Sequence, residues 1–113
     1  MPEPDHVAVD LDQVVEAARA AGDQWREFLR AGMFSAGVYR LSAGEIDRQT
    51  PHAEDEIYYV LSGRAVLRIG DRDHPLGPGE VAFVPARAEH RFHDVAEDLT
   101  LLVLFAPAEG TRD

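Results

Sequence analysis

The sequence predicts an all-β domain, an antiparallel sandwich or barrel, with a short helical segment at its amino end. Two patterns support this. Up to about residue 32 apolar residues recur at helical spacing, and beyond Gly32 the chain breaks into short β-branched and aromatic runs separated by Gly, Pro and Asp. A length of 113 residues is that of one domain. Such a chain buries roughly 60–70% of the surface its unfolded form exposes, enough for one core but not for a second lobe.

Residues 1–9, with Pro2 and Pro4, read as a loose arm. Leu11, Val14, Val15 and Ala18 then fall at i, i+3, i+4 and i+7, with Asp10 placed to cap the segment and Gly22 to stop it. Asp23 is placed to start a second helical turn or two, in which Trp25, Phe28 and Leu29 share a face before Gly32. Strands are expected near 34–41, 56–62, 64–69, 73–76, 80–85, 89–95 and 99–106. Gly63 is expected to break a first hairpin and Gly70-Asp71 a second, and Gly77-Pro78-Gly79 to make a tight turn. The expected division is an arm and helical segment over 1–33, the barrel over 34–107 and a tail over 108–113.

Two of these strands, 57–61 and 99–105, are apolar on both faces. One face fills the barrel, while the other needs cover from the helices, a facing sheet or a second chain. A homodimer is the expected solution.

Composition removes several chemistries. There is no cysteine, so no thiol nucleophile, disulfide or Cys-ligated metal. There is no lysine, so no Schiff base and no P-loop lysine, and none of Ser35, Ser42 and Ser62 lies in a G-x-S-x-G setting. A net charge of −10, with arginines scattered from Arg19 to Arg112, argues against nucleic acid and anionic membrane as partners. The longest apolar run is too short to span a bilayer, and the acidic amino terminus lacks the basic and apolar regions of a signal peptide, so a soluble cytoplasmic protein is expected.

Carboxylate, imidazole, hydroxyl and metal chemistry remain. His52 lies four residues before Glu56, and His90 falls at the start of a later strand. Strand ends from different parts of a barrel converge, and two imidazoles with one carboxylate are a ligand set for Fe, Mn, Co, Ni or Zn with positions left open.

The residues around this trio carry a resemblance. Gly44, His52, Glu56 and Gly63 fall on the first motif of the cupin superfamily, and Gly79, Pro85 and His90 on the second. The chain is thereby identified as similar to a small single-domain cupin, which implies a jelly-roll barrel and one divalent transition metal per chain. Three positions depart from the pattern. Thr50 stands where the first histidine is usual, Arg87 replaces a glycine, and Asp94 replaces a terminal asparagine. The usual shell of three His and one Glu therefore carries over as His52, Glu56 and His90, with Thr50, through a water, or Gln49 as the source of a fourth ligand.

Strand parity gives candidate walls. Tyr58 shares a face with Glu56, Phe92 shares one with His90, and Phe83 joins them from the intervening strand. Tyr39 or Arg40 comes from the strand before the first motif. Such an aromatic cavity suits a small organic molecule better than a phosphosugar. Glu54 shares parity with Glu56 and is a candidate acid or base. His93, off the parity of His90, points away. The expected function is a metal-dependent enzyme, dioxygenase-like or a Lewis-acid isomerase, lyase or cyclase; the alternative is a non-catalytic small-molecule binding or sensor protein.

Overall fold

The computed structural model describes residues 7–47 and 51–110. The first element is helix α1 (Leu11–Ala21). The Asp10 carboxylate accepts the backbone N–H groups of Asp12 at 3.0 Å and Gln13 at 3.4 Å. Gly22, at φ 73°, closes the helix in the left-handed region. The helix packs chiefly against the next two strands through the buried Ala18.

Strand β1 (Trp25–Arg30) stands where the sequence suggested a second helical turn. Between Gly22 and Gly32 there is too little chain for a helix to repay its nucleation, whereas pairing with β2 (Ser35–Leu41) supplies a ladder of hydrogen bonds. A bulge at Phe28 shifts the register, which mimics helical spacing in the sequence. Trp25 lies across Gly37, where a Cβ would meet its ring and the Arg26 carbonyl, so only glycine fits under it.

Six further strands follow: β3 (Asp55–Ser62), β4 (Ala65–Ile69), β5 (Arg72–Leu76), β6 (Val81–Val84), β7 (His90–His93) and β8 (Leu99–Ala106). They form two antiparallel sheets, in the orders β1-β2-β8-β3-β6 and β5-β4-β7. The architecture is the expected all-β cupin barrel with one short helix. The turn at Gly70-Asp71 does join a hairpin, β4 to β5. Gly63 does not: β3 and β4 belong to different sheets, and the chain crosses between them there. Gly63 adopts φ 91°, and a Cβ would run into the Asp98 backbone, so the crossing requires glycine.

The core lies between the sheets. Tyr58 and Val60 of β3, Leu67 of β4, Phe92 of β7 and the alternate residues Leu99, Leu101, Val103 and Phe105 of β8 are all buried. Each such side chain contributes about 1.5–3 kcal/mol by leaving water. On the outer face the register aligns Leu104, Ile57 and Phe83 in one row and Leu102, Tyr59 and Val81 in the next. The helix covers the β1–β2 side, and Ile57, Tyr59, Val81 and Phe83 remain exposed. Among the described residues no helix is long and apolar enough to cross a membrane.

Candidate metal centre

Glu56 projects from the inner face of β3, one sheet, and His90 from the first residue of β7, the other sheet. His52 comes from the segment entering β3. Two hydrogen bonds bring these distant stretches together. The Arg87 N–H donates to the His52 carbonyl at 2.6 Å, and the Ala86 N–H donates to Asp55 Oδ1 at 2.8 Å. Arg87 adopts φ 67°, the left-handed region that favours the glycine usual at this place. The turn keeps its shape with a different residue in it.

Ligand atoms of His52, Glu56 and His90 all lie within 4.8 Å of one another. His90 Nδ1 is 2.9 Å from the Ala88 carbonyl, which only accepts, so Nδ1 carries a proton and Nε2 faces the site. Nε2 stands 3.1 Å from Glu56 Oε1 with both side chains about 1% exposed, but the pair is not aligned as a hydrogen bond. Both Glu56 oxygens and His90 Nε2 are buried without a hydrogen-bond partner. An orphaned buried polar atom costs about 1–3 kcal/mol, and more when charged. A cation between them removes that cost, and two nitrogens with one carboxylate are a suitable donor set for a divalent first-row ion. The residues fit the metal that the fold implies. Burial pulls the His90 imidazole down, but the Glu56 carboxylate and the Ala88 carbonyl together outweigh it, and the net shift is upward.

Beside the trio opens a pocket of about 220 Å³ lined by Trp25, Tyr39, His52, Glu56, Val103, Phe105 and Glu109. The His52 ring meets Phe105 edge-on at 4.9 Å, and Phe105 in turn meets Trp25 at 5.9 Å. A larger concavity, about 450 Å³, lies at the carboxyl end of α1, but its Arg40 is engaged with the Ala18 and Asp23 carbonyls and it gathers no ligand set.

The expected walls are only partly those observed. Tyr39 lines the pocket, and its hydroxyl donates to Asp47 Oδ1 at 2.6 Å. Burial, the bond to Asp47 and nearby carboxylates push its pKa up, so it stays protonated. Tyr58 and Phe92 sit deeper, in edge-on contact 5.0 Å apart with Tyr58 beside His90, as core beneath the site. Phe83 is on the outside, 56% exposed, because it pairs with Ile57 rather than with Glu56. Glu54 is buried, and its Oε2 accepts the Gly110 N–H at 3.0 Å, a bond that pins the chain after β8. Gln49 and Thr50, the sources considered for a fourth ligand, lie outside the described residues.

Sequence reasoning missed Trp25, Glu109 and Asp47. Trp25 was hidden by the helical reading of its segment, and Glu109 by its place in a nominal tail. For Val103 and Phe105 the parity of β8 was a usable signal. Burial raises the Glu109 carboxyl, His52 opposes this, and the carboxylates of Glu27, Glu54 and Glu56 add to it.

Comparison with known proteins agrees with this geometry. Residues 37–106 match the family profile described as the cupin domain. The chain belongs to the cupin family. This cupin is 47% identical over 104 residues to an uncharacterized protein of Streptomyces coelicolor, covering 91% of this chain and 98% of that one. It is similar to TT1209 of Thermus thermophilus, with a TM-score of 0.72, 28% identity, and coverage of 89% of this chain and 97% of that one. It is also similar to a structure described as belonging to the DMSP lyases RdDddP and RnDddQII, with a TM-score of 0.68 and 29% identity, covering 79% of this chain and 49% of that one.

Proposed function

We propose that this cupin is a metal-dependent enzyme acting on a small organic molecule held in the pocket beside His52, Glu56 and His90. The observation that carries the reading is the Glu56 carboxylate, which is buried with both oxygens unpartnered against His90 Nε2. A side chain so costly to bury, at the floor of a pocket, is explained by a cation that it holds. When bound, a divalent ion supplies Lewis-acid or redox chemistry.

The chain's own residues favour the Lewis-acid branch, an isomerase, lyase or cyclase, over oxygenation. Glu109, half-buried at the pocket with its carboxyl raised by burial, holds a proton more readily than an exposed glutamate. Its carboxylate, more basic than an exposed one, is the group placed to take a proton from the substrate. Glu54, engaged with Gly110, positions the segment that presents Glu109. Trp25, Val103 and Phe105 give the pocket apolar walls, and Tyr39 is tied to Asp47. The similarity to proteins described as lyases supports the same branch.

Elemental analysis of the protein as isolated tests this reading. The expected result is close to one divalent ion per chain, lost in His90→Ala with the barrel still folded. Absence of metal after loading with Fe, Mn, Zn, Ni and Co in turn overturns it. Stoichiometric metal and ligand binding without turnover of any bound compound assigns a sensor instead.

The outer strip of Ile57, Tyr59, Val81 and Phe83 supports a homodimer as well. Its four side chains are uncharged on a chain that carries −10, so two copies can meet there without setting like charges against each other. Phe83→Asp is expected to halve the mass read by sedimentation equilibrium; an unchanged mass refutes that interface.

A further inference from the structure

We infer that the pocket selects a molecule bearing a compact cationic head group, of the substituted-ammonium type. The inference rests on the pocket reading above and adds the charge of the ligand. Trp25, Tyr39 and Phe105 supply three aromatic walls, and Trp25 and Phe105 meet at 76°, so their planes form a corner. Electron-rich ring faces attract a cation, and several rings set at angles are the usual receptor for a quaternary onium group, which has no N–H to satisfy and little hydration to lose.

The charged groups point the same way. Glu109 and Glu56 both line the pocket, and no arginine is among the described lining residues. Arg30, a guanidinium that reaches this segment, is committed to other partners. It donates to Glu27 at 3.0 Å and to the Glu109 backbone carbonyl at 2.8 Å. A cation pairs with the Glu109 carboxylate. An anion of the same size meets that carboxylate with no arginine among the described lining residues to offset it, and a neutral isostere gains nothing from the carboxylate or the rings. Glu56 belongs to the metal trio, so the head group is assigned to Glu109 and the aromatic corner. A volume of about 220 Å³ admits only a small molecule.

Trp25 is the single tryptophan of the chain, so its fluorescence reports on this pocket without background. The experiment titrates the full chain with choline and with 3,3-dimethylbutan-1-ol, which has the same shape and no charge. It is run on chelator-treated protein and on protein loaded with metal, with metal content measured separately. Choline is expected to give a saturable change in Trp25 emission with about tenfold or greater preference over the alcohol. Glu109→Gln should remove most of that preference. Glu97→Gln, which deletes one exposed carboxylate outside the pocket, should leave it intact. Should Glu109→Gln fail to fold, Phe105→Leu is expected to weaken choline more than the alcohol. Equal affinities, tighter binding of the alcohol, or no saturable change with choline in either form overturns the inference. Choline preference in a chain that never holds metal preserves it and refutes the metal reading alone.

Discussion

His90 and His93 stand on the same short strand, and each has a ring nitrogen near a carboxylate, 3.1 Å for His90 to Glu56 and 3.0 Å for His93 to Asp73. By distance they are equals. They differ in what surrounds the pair. His93 is on the outer face, its side chain 29% exposed, hydrogen-bonded through Nε2 to Asp73 and through Nδ1, at 3.2 Å, to Asp94. His90 faces inward at about 1% exposure, opposite a carboxylate with which it makes no aligned hydrogen bond. Water screens and satisfies the first pair, which therefore carries little energy, whereas nothing in the protein satisfies the second. Proximity of imidazole and carboxylate is thus no signature of a metal site; proximity combined with burial and unmet hydrogen-bonding capacity is.

The largest expected break in this comparison is Glu56→Leu. It should abolish metal binding, a loss of affinity beyond about 100-fold, since even indirect supports of a metal ligand are worth 10–100-fold. Above the pH at which His90 loses its proton, it should also stabilise the metal-free protein by about 1–3 kcal/mol, the cost of a carboxylate then left without a partner. Metal titration and denaturant unfolding of the same variant check both halves. Destabilisation of the metal-free form would show that Glu56 is held by contacts within the fold.

The pH response comes next. In metal-free protein the His90 imidazole is raised above its ordinary 6.5, so its pairing with Glu56 stabilises the fold below that pH and is lost as pH climbs through the raised value. Metal binding must displace that proton and runs the opposite way, tightening as pH rises through the same window. Melting temperature of the metal-free form and metal affinity, each measured across pH 5–9, should therefore move in opposite directions, and His90→Ala should flatten the first curve.

Smaller still is Glu54→Gln. The amide oxygen can keep the Gly110 N–H, so the expected loss of stability is about 1 kcal/mol or less, with metal content unchanged. A loss of metal would place Glu54 among the ligands. His93→Ala is the smallest, with a melting temperature within about 2 °C of the parent and no change in metal content.

The sequence carried the trio because strand alternation and motif spacing act over a few residues. Glu56 with Tyr58 and Val60, and His90 with Phe92, follow from period two alone. Phe83 was assigned to the wrong face because its strand is short, and only its pairing with Ile57 reveals its orientation. Trp25 and Glu109 owe their places to long-range events, docking on Gly37 and capture of the Gly110 N–H by Glu54. Neither leaves a local pattern, and so the candidate metal ligands were legible while much of the pocket's lining was not.

Asp47 shows how that pocket can change. Its carboxylate takes the Tyr39 hydroxyl from β2 with one oxygen and the Phe92 N–H of β7 with the other, at 2.6 and 2.8 Å. It therefore fastens the long β2–β3 connection at its middle and divides one loop into two. Loop-closure entropy depends on each segment separately. Insertions before residue 47 are buffered from the stretch that carries His52, and insertions after it leave the first half in place. An evolving or engineered chain can thus vary the rim of this barrel in length on one side while the imidazoles keep their positions on the other.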